Sequence, residues 1–103
     1  MILYNVTIKV NHDVHDDWRA WMLAEHIPAV MATGMFTEYK FTRLLGIDEG
    51  DGPTYSVQYL APNMEAYQIY QYHYAPGLQA EHQQRYADNC LAFRTIMRVI
   101  DRG

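Results

Sequence analysis

The chain has 103 residues, of which 50% are hydrophobic and 19% charged, a balance that excludes a disordered polar chain and a length that suits one apolar core rather than two. Residues 1–103 are therefore expected to form a single domain, and the formal net charge of −4 excludes the clustered cationic surface that binds phosphate backbones, so nucleic acid is not an expected partner. No apolar run approaches the ~20 residues that cross a bilayer, Met1 leads straight into strand-like sequence, and the lone Cys90 has no second thiol; a cytoplasmic protein with no membrane partner, no metal site and no cofactor is expected.

From Ile2 to Val10 apolar and polar positions alternate, with Ile2, Tyr4, Val6, Ile8 and Val10 on the side expected to face the core. Asp13 suits a helix N-cap, and Val14, Trp18, Trp21 and Met22 then recur at helical spacing to form one buried stripe. Pro28 predicts a kink or restart, and Gly34 a stop. A second strand is expected within Phe36–Ile47, a polar turn over Asp48–Pro53, and a third strand over Thr54–Leu60. Asn63 caps a second helix bearing Tyr67, Tyr70, Gln71 and Tyr74 along one side, interrupted at Ala75-Pro76-Gly77 and resumed through Leu78, His82, Arg85 and Tyr86. A last strand is expected over Leu91–Ile100.

This β-α-β-β-α-β order predicts an α+β, ferredoxin-like domain: a four-stranded antiparallel sheet with both helices on one face. The other face is left without cover. Alternation assigns to it Leu3, Asn5, Thr7 and Lys9, then Thr54, Ser56, Gln58 and Leu60, then Ala92, Arg94, Ile96, Arg98 and Ile100. Such a mixed face predicts a homodimer, two sheets pairing into a dimeric α/β barrel around a wet cavity lined by Asn5, Gln58 and Arg94. Arg94 needs an acceptor there, either Glu38 or an anionic ligand.

The segments Tyr4-Asn5-Val6-Thr7, Trp21-Met22-x-x-Glu25-His26-Ile27-Pro28, Thr33-Gly34-x-Phe36, Arg43-Leu44-Leu45-Gly46, Tyr55-Ser56-Val57-Gln58-Tyr59 and Ala92-Phe93-Arg94-Thr95-Ile96 together resemble the bacterial family called domain of unknown function 4286 (DUF4286), nearly end to end. That family is similar in layout to the dimeric α/β-barrel superfamily. The superfamily includes cofactor-free antibiotic-biosynthesis-type monooxygenases, haem-degrading enzymes, small decarboxylases and isomerases, and stress-responsive barrels. The resemblance implies the fold and the dimer but no particular reaction. Haem-degrading members place an asparagine on the first strand and a histidine on the second helix. Asn5 and His82 match those placements, His73 is a further candidate, and no tryptophan follows Trp21.

Two histidines, in Ala24-Glu25-His26 and Ala80-Glu81-His82, occupy comparable places on the two helices, and imidazole is the side chain best suited to move a proton near neutrality. Each is read either as a packed ring bonded to a backbone carbonyl or as a tentative catalytic group. His12 and His15, with Asp13, Asp16 and Asp17, read as a solvated helix start rather than a metal site. The expected function is a small-molecule binding barrel holding an anionic or aromatic ligand against Asn5, Gln58 and Arg94. The alternative is a cofactor-independent monooxygenase-, isomerase- or decarboxylase-like enzyme in which His26 or His82 shuttles a proton and Asn5 with Arg94 stabilises an oxyanion. A structural dimer without a pocket is the third reading.

Overall fold

Alternation along Ile2–Val10 produces a nine-residue strand, β1, with every even-numbered residue buried and every odd-numbered one half-buried. The computed structural model in which this is seen describes residues 1–103. β1 pairs antiparallel with β3 (Thr54–Ala61) on one side and with β4 (Cys90–Arg98) on the other, and β2 (Glu38–Arg43) closes the far edge beside β3, giving the order β2-β3-β1-β4. Four helical pieces, α1 (His15–Trp21), α2 (Ile27–Ala32), α3 (Met64–Ile69) and α4 (Ala75–Tyr86), fill the two β-α-β crossovers. This is the ferredoxin-like fold the element order predicted. The thinnest dimension, 19 Å, is that of one sheet under one helical layer, since such layers pack about 10 Å apart.

The core is a cluster of 19 buried residues between these layers, with Trp18, Trp21, Phe36, Tyr55, Tyr59 and Tyr70 supplying its aromatic bulk. Tyr4 sits at its centre, with ring centroids of Phe36, Tyr59, Tyr67 and Tyr70 all within 6.1 Å.

Neither proline breaks its helix. α1 runs into α2 through a π-helical turn, Met22–His26, in which the Ile27 N–H reaches back five residues to the Met22 carbonyl; α3 runs into α4 through a second, Tyr70–Tyr74, with Ala75 bonded to Tyr70 in the same way. A proline ring clashes with the carbonyl four residues behind it in an α-helix. Widening the turn just ahead of Pro28 and Pro76 relieves that clash, and the chain stays helical on both sides. Each π turn also adds one residue to the helical period, so the inward positions run Trp18, Met22, His26–Ile27 and Val30 in the first helix, and Tyr67, Tyr70, Ala75, Leu78, His82 and Tyr86 in the second. Tyr74, which unbroken spacing placed on the inner stripe, is exposed.

Asn63 caps α3 as expected, its Oδ1 accepting from the Ala66 N–H at 2.8 Å. Asp13 does not cap α1. It lies inside a 3₁₀ turn, His12–Val14, and no side chain caps the helix that follows. Phe36 is buried just ahead of the short β2. Gly34 ends α2 with φ +77°, a conformation glycine adopts without strain.

The registers settle which side chains share a face, because residues directly opposite in an antiparallel pair point the same way. Asn5 lies opposite Gln58 and Thr95, whereas Arg94 lies opposite Val6. The expected face of β4 is therefore corrected: Ala92, Arg94 and Ile96 point toward the helices, and Leu91, Phe93, Thr95 and Met97 occupy the uncovered side with Asn5 and Gln58. Glu38, opposite Leu60, is also on the uncovered side and cannot serve Arg94; it pairs with Arg102 at 3.6 Å.

Candidate functional site

On the uncovered face Asn5 is committed to its neighbours. Its Nδ2 donates to Thr7 Oγ1 at 3.0 Å, and Ser56 Oγ donates to its Oδ1 at 2.5 Å. Gln58 lies across from it on β3. The chamber expected from Asn5, Gln58 and Arg94 together is not formed within the chain, since the sheet separates the arginine from both amides.

Arg94 instead enters a cleft between sheet and helices. The closed end, about 30 Å³, is lined by Tyr4, Met22, His26, Tyr70, His82 and Arg94 over an aliphatic floor that includes Val6 and Val57. It meets an open groove of about 940 Å³ running between α4 and β4, and Gln79, His82, Ala92 and Arg94 belong to both spaces. The two π turns bear directly on this site: Met22 and His26 come from the first and Tyr70 from the second. Such turns recur at functional sites because they re-aim side chains within an otherwise regular helix.

The two predicted histidines are thus brought together, from different helices, with ring centroids 5.9 Å apart and nearly edge to face. Trp21 packs against both, at 5.0 Å from His26 and 5.8 Å from His82, and Tyr86 packs on His82 at 5.5 Å. Neither ring follows the simple packing expectation of one bond to a backbone carbonyl. His82 Nε2 accepts a hydrogen bond from the Trp18 indole at 3.0 Å. His26 Nδ1 is sealed from solvent with no partner at all.

Burial, with the nearby His82 and the Arg94 charge adding to it, pushes the His26 pKa from 6.5 down to about 4. Burial and then Arg94 lower His82 as well. Both imidazoles are neutral at pH 7. Burial also raises the Tyr4 phenol, against the opposing pull of Arg94, and raises Tyr70, so these hydroxyls remain protonated donors. Cys90, on the groove wall, is pushed up to about 11 by burial and is not a ready thiolate.

No carboxylate lines the closed end, and Arg94 takes part in no ion pair. Of the two groove carboxylates, Asp51 and Asp88, the first is held by Lys9 at 3.5 Å. The cleft therefore presents one unpaired cation and two neutral imidazoles over an apolar floor, with Asp88 an unpaired carboxylate on the groove wall. His12 and His15 are engaged elsewhere, with the Glu49 carbonyl at 2.9 Å and the Tyr55 hydroxyl at 2.6 Å.

The matching family model spans residues 1–100 and is described as Domain of unknown function (DUF4286). The chain belongs to that family. No protein of curated function matches this DUF4286 chain in sequence. Among solved structures it is similar to a cofactor-independent oxygenase, SnoaB, from Streptomyces nogalater, with TM-score 0.69, 11% identity, and 98% of this chain and 95% of that one covered. It is also similar to the heme-degrader MhuD of Mycobacterium tuberculosis, with TM-score 0.68, 19% identity and 100% of both chains covered. A dimeric ferredoxin-like protein from an uncultured marine organism matches with TM-score 0.68, 9% identity, and 99% of this chain and 97% of that one covered. At these identities the likeness shows the ferredoxin-like fold and no activity. The haem-type pairing of Asn5 with His82 is not made in this DUF4286 chain, because the two lie on opposite sides of the sheet.

Tyr4, Gln79 and Tyr70 were not singled out as site residues from the sequence, nor was Trp18 behind them. The available signal was a tyrosine at the middle of an otherwise aliphatic buried face in β1, since a buried hydroxyl asks for a polar neighbour.

Proposed function

We propose that this protein binds a small aromatic anion, a carboxylate or phenolate, in the cleft between helices and sheet, with Arg94 holding the charge. The observation that carries this reading is that Arg94, an exposed residue, stands at the junction of groove and closed end without an ion-pair partner, with apolar and aromatic side chains lining the closed-end side. A guanidinium so placed favours a ligand that brings its own oxyanion. The groove volume, about 940 Å³, lies within the range of small-molecule sites. Trp21 packs on both histidines, so its fluorescence serves as a probe. Salicylate and benzoate are expected to quench it with an affinity at least about tenfold above that of benzamide, and Arg94→Gln to erase the difference. Equal affinity for benzoate and benzamide in the unaltered protein overturns the reading.

A second reading is supported by His26, a neutral imidazole whose ring lines the closed end beside the proposed anion site. It makes the cleft a cofactor-independent proton-transfer site: His26 takes a proton from an acidic C–H of the bound ligand and returns it elsewhere, as in an isomerisation. Incorporation of solvent deuterium into a bound, enolisable aromatic keto acid, lost in His26→Phe, supports it. The absence of exchange refutes it.

The same proposal includes a homodimer formed through the uncovered sheet face. Leu91, Phe93 and Met97 stand exposed there beside Leu3, an apolar group for which the fold itself supplies no cover. Similar solved structures are described as dimeric. No helix is long and apolar enough to cross a membrane, and a reducing, cytoplasmic setting agrees with the single unpaired Cys90.

A further inference from the structure

Trp18 has no solvent exposure and does not line the cleft, yet its one polar atom decides what the cleft offers a ligand. An indole nitrogen carries a hydrogen and can only donate. The 3.0 Å contact to His82 Nε2 therefore requires that nitrogen to be the bare one, and the imidazole hydrogen must sit on Nδ1. Among the half-buried and buried side chains, the one nitrogen sealed away without a partner belongs to His26. His82 Nδ1, which no protein group bonds, is thus not sealed off, and the His82 side chain lines the groove. An unconstrained histidine side chain prefers the opposite tautomer, so the arrangement is imposed by the tryptophan.

We propose that Trp18 is a positioning residue that locks His82 as its Nδ1–H tautomer, so that His82 and Arg94 together present hydrogen-bond donors to one oxyanion. This rests on the reading of the cleft as a site for a small aromatic anion and narrows it: the ligand must bring an acceptor to the meeting point of α4 and β4. The ionisable groups facing His82 are His26 from the first π turn, Tyr86 from its own helix and Arg94 from β4. No carboxylate forms an ion pair with the ring, so nothing else in the fold competes to orient its proton. The division of labour follows. His82 donates, Arg94 neutralises, and His26, whose ring lines the closed end, is left as the group able to accept a proton. With the Trp18 bond removed, His82 is free to turn a lone pair toward the groove, and that lone pair repels the same anion.

The test is long-range proton–nitrogen NMR of the histidine side chains, read without ligand, in the unaltered protein and in Trp18→Phe, alongside fluorescence or calorimetric titration with benzoate and benzamide. The expected result is an Nδ1–H tautomer for His82 at neutral pH, reverting toward Nε2–H in Trp18→Phe, with benzoate affinity reduced about tenfold and benzamide unchanged. An Nε2–H tautomer in the unaltered protein, or an Nδ1–H tautomer that survives Trp18→Phe, overturns the proposal. Should Trp18→Phe fail to fold, His82→Ala decides the matter from the other side: the Trp18 indole N–H resonance must shift and lose exchange protection, and an unmoved resonance overturns the proposal. A locked Nδ1–H tautomer in a protein that binds no benzoate overturns the anion reading of the cleft while the tautomer assignment stands, so the two failures are distinguishable.

Discussion

Acid should destabilise this protein in good part through His26. In the fold its pKa is about 4, held down by burial and by His82 and Arg94, against 6.5 for an unperturbed histidine. The unfolded chain therefore takes up this proton first, near pH 6.5, and the folded chain takes it up only near pH 4. Between those values the unfolded state binds more protons, so stability falls as the pH falls. At about 1.4 kcal/mol per pH unit, the contribution is on the order of 3 kcal/mol, complete above about pH 6.5 and gone by about pH 4. His82, also lowered, acts in the same direction. The assay is urea denaturation at fixed protein concentration across this range, comparing the unaltered protein with His26→Phe. Phenylalanine keeps a ring against Trp21 while removing both the titration and the buried, unpartnered nitrogen. The variant is expected to be more stable than the unaltered protein near pH 8, by up to about 1–3 kcal/mol for the orphaned nitrogen. That gap should then widen by about 3 kcal/mol more on approaching pH 4. Parallel curves for the two proteins would refute the reasoning.

Three further outcomes are expected. Gly52→Ala should cost more than about 3 kcal/mol in chemical denaturation, because φ is +140° and an added Cβ falls 1.8 Å from the Val10 carbonyl oxygen, against backbone that cannot give way; a change below about 1 kcal/mol contradicts the geometry. Ala87→Gly should raise stability by about 1 kcal/mol, since Ala87 is the one non-glycine residue at positive φ (+23°, with ψ −107°) and removing its Cβ relieves part of the strain. Phe93→Glu, at a side chain 61% exposed in the single chain, should halve the mass measured by light scattering while leaving the circular dichroism unchanged, and an unaltered mass removes the sheet face as the dimer surface.

The strands, their order and the faces of β1 and β3 were legible because alternation is a local signal and both strands are central, with one side pressed on the core. β4 was misread for a physical reason. Its more apolar side, with Leu91, Phe93 and Met97, looks like an inner face, yet it points away from the helices, and the charged Arg94 and Arg98 share a side with Ala92 and Ile96. Hydrophobicity reports burial in the assembled protein, and on the proposed dimer that side is buried by the second copy. The helices were legible as to position but not as to continuity, since the period gains one residue at each π turn and a proline follows each one. His26 and His82 were found as a pair by residue type. Their meeting point was not, because it depends on those inserted residues and on a strand register that no local pattern encodes. Asn5 and Gln58 were expected beside the arginine and lie across the sheet from it.

The two widened turns also decide which part of the cleft can yield. A π turn followed by proline leaves fewer and longer-spanning backbone bonds than the α-helix around it, so amides in Leu23–His26 and Gln71–Tyr74 are the natural points of early hydrogen exchange, while β1, bonded on both edges, exchanges last. The floor of the cleft is accordingly stiff and its ceiling compliant. A ligand larger than the closed end can be admitted by the helices flexing at these turns, without any strain on the sheet that fixes Arg94.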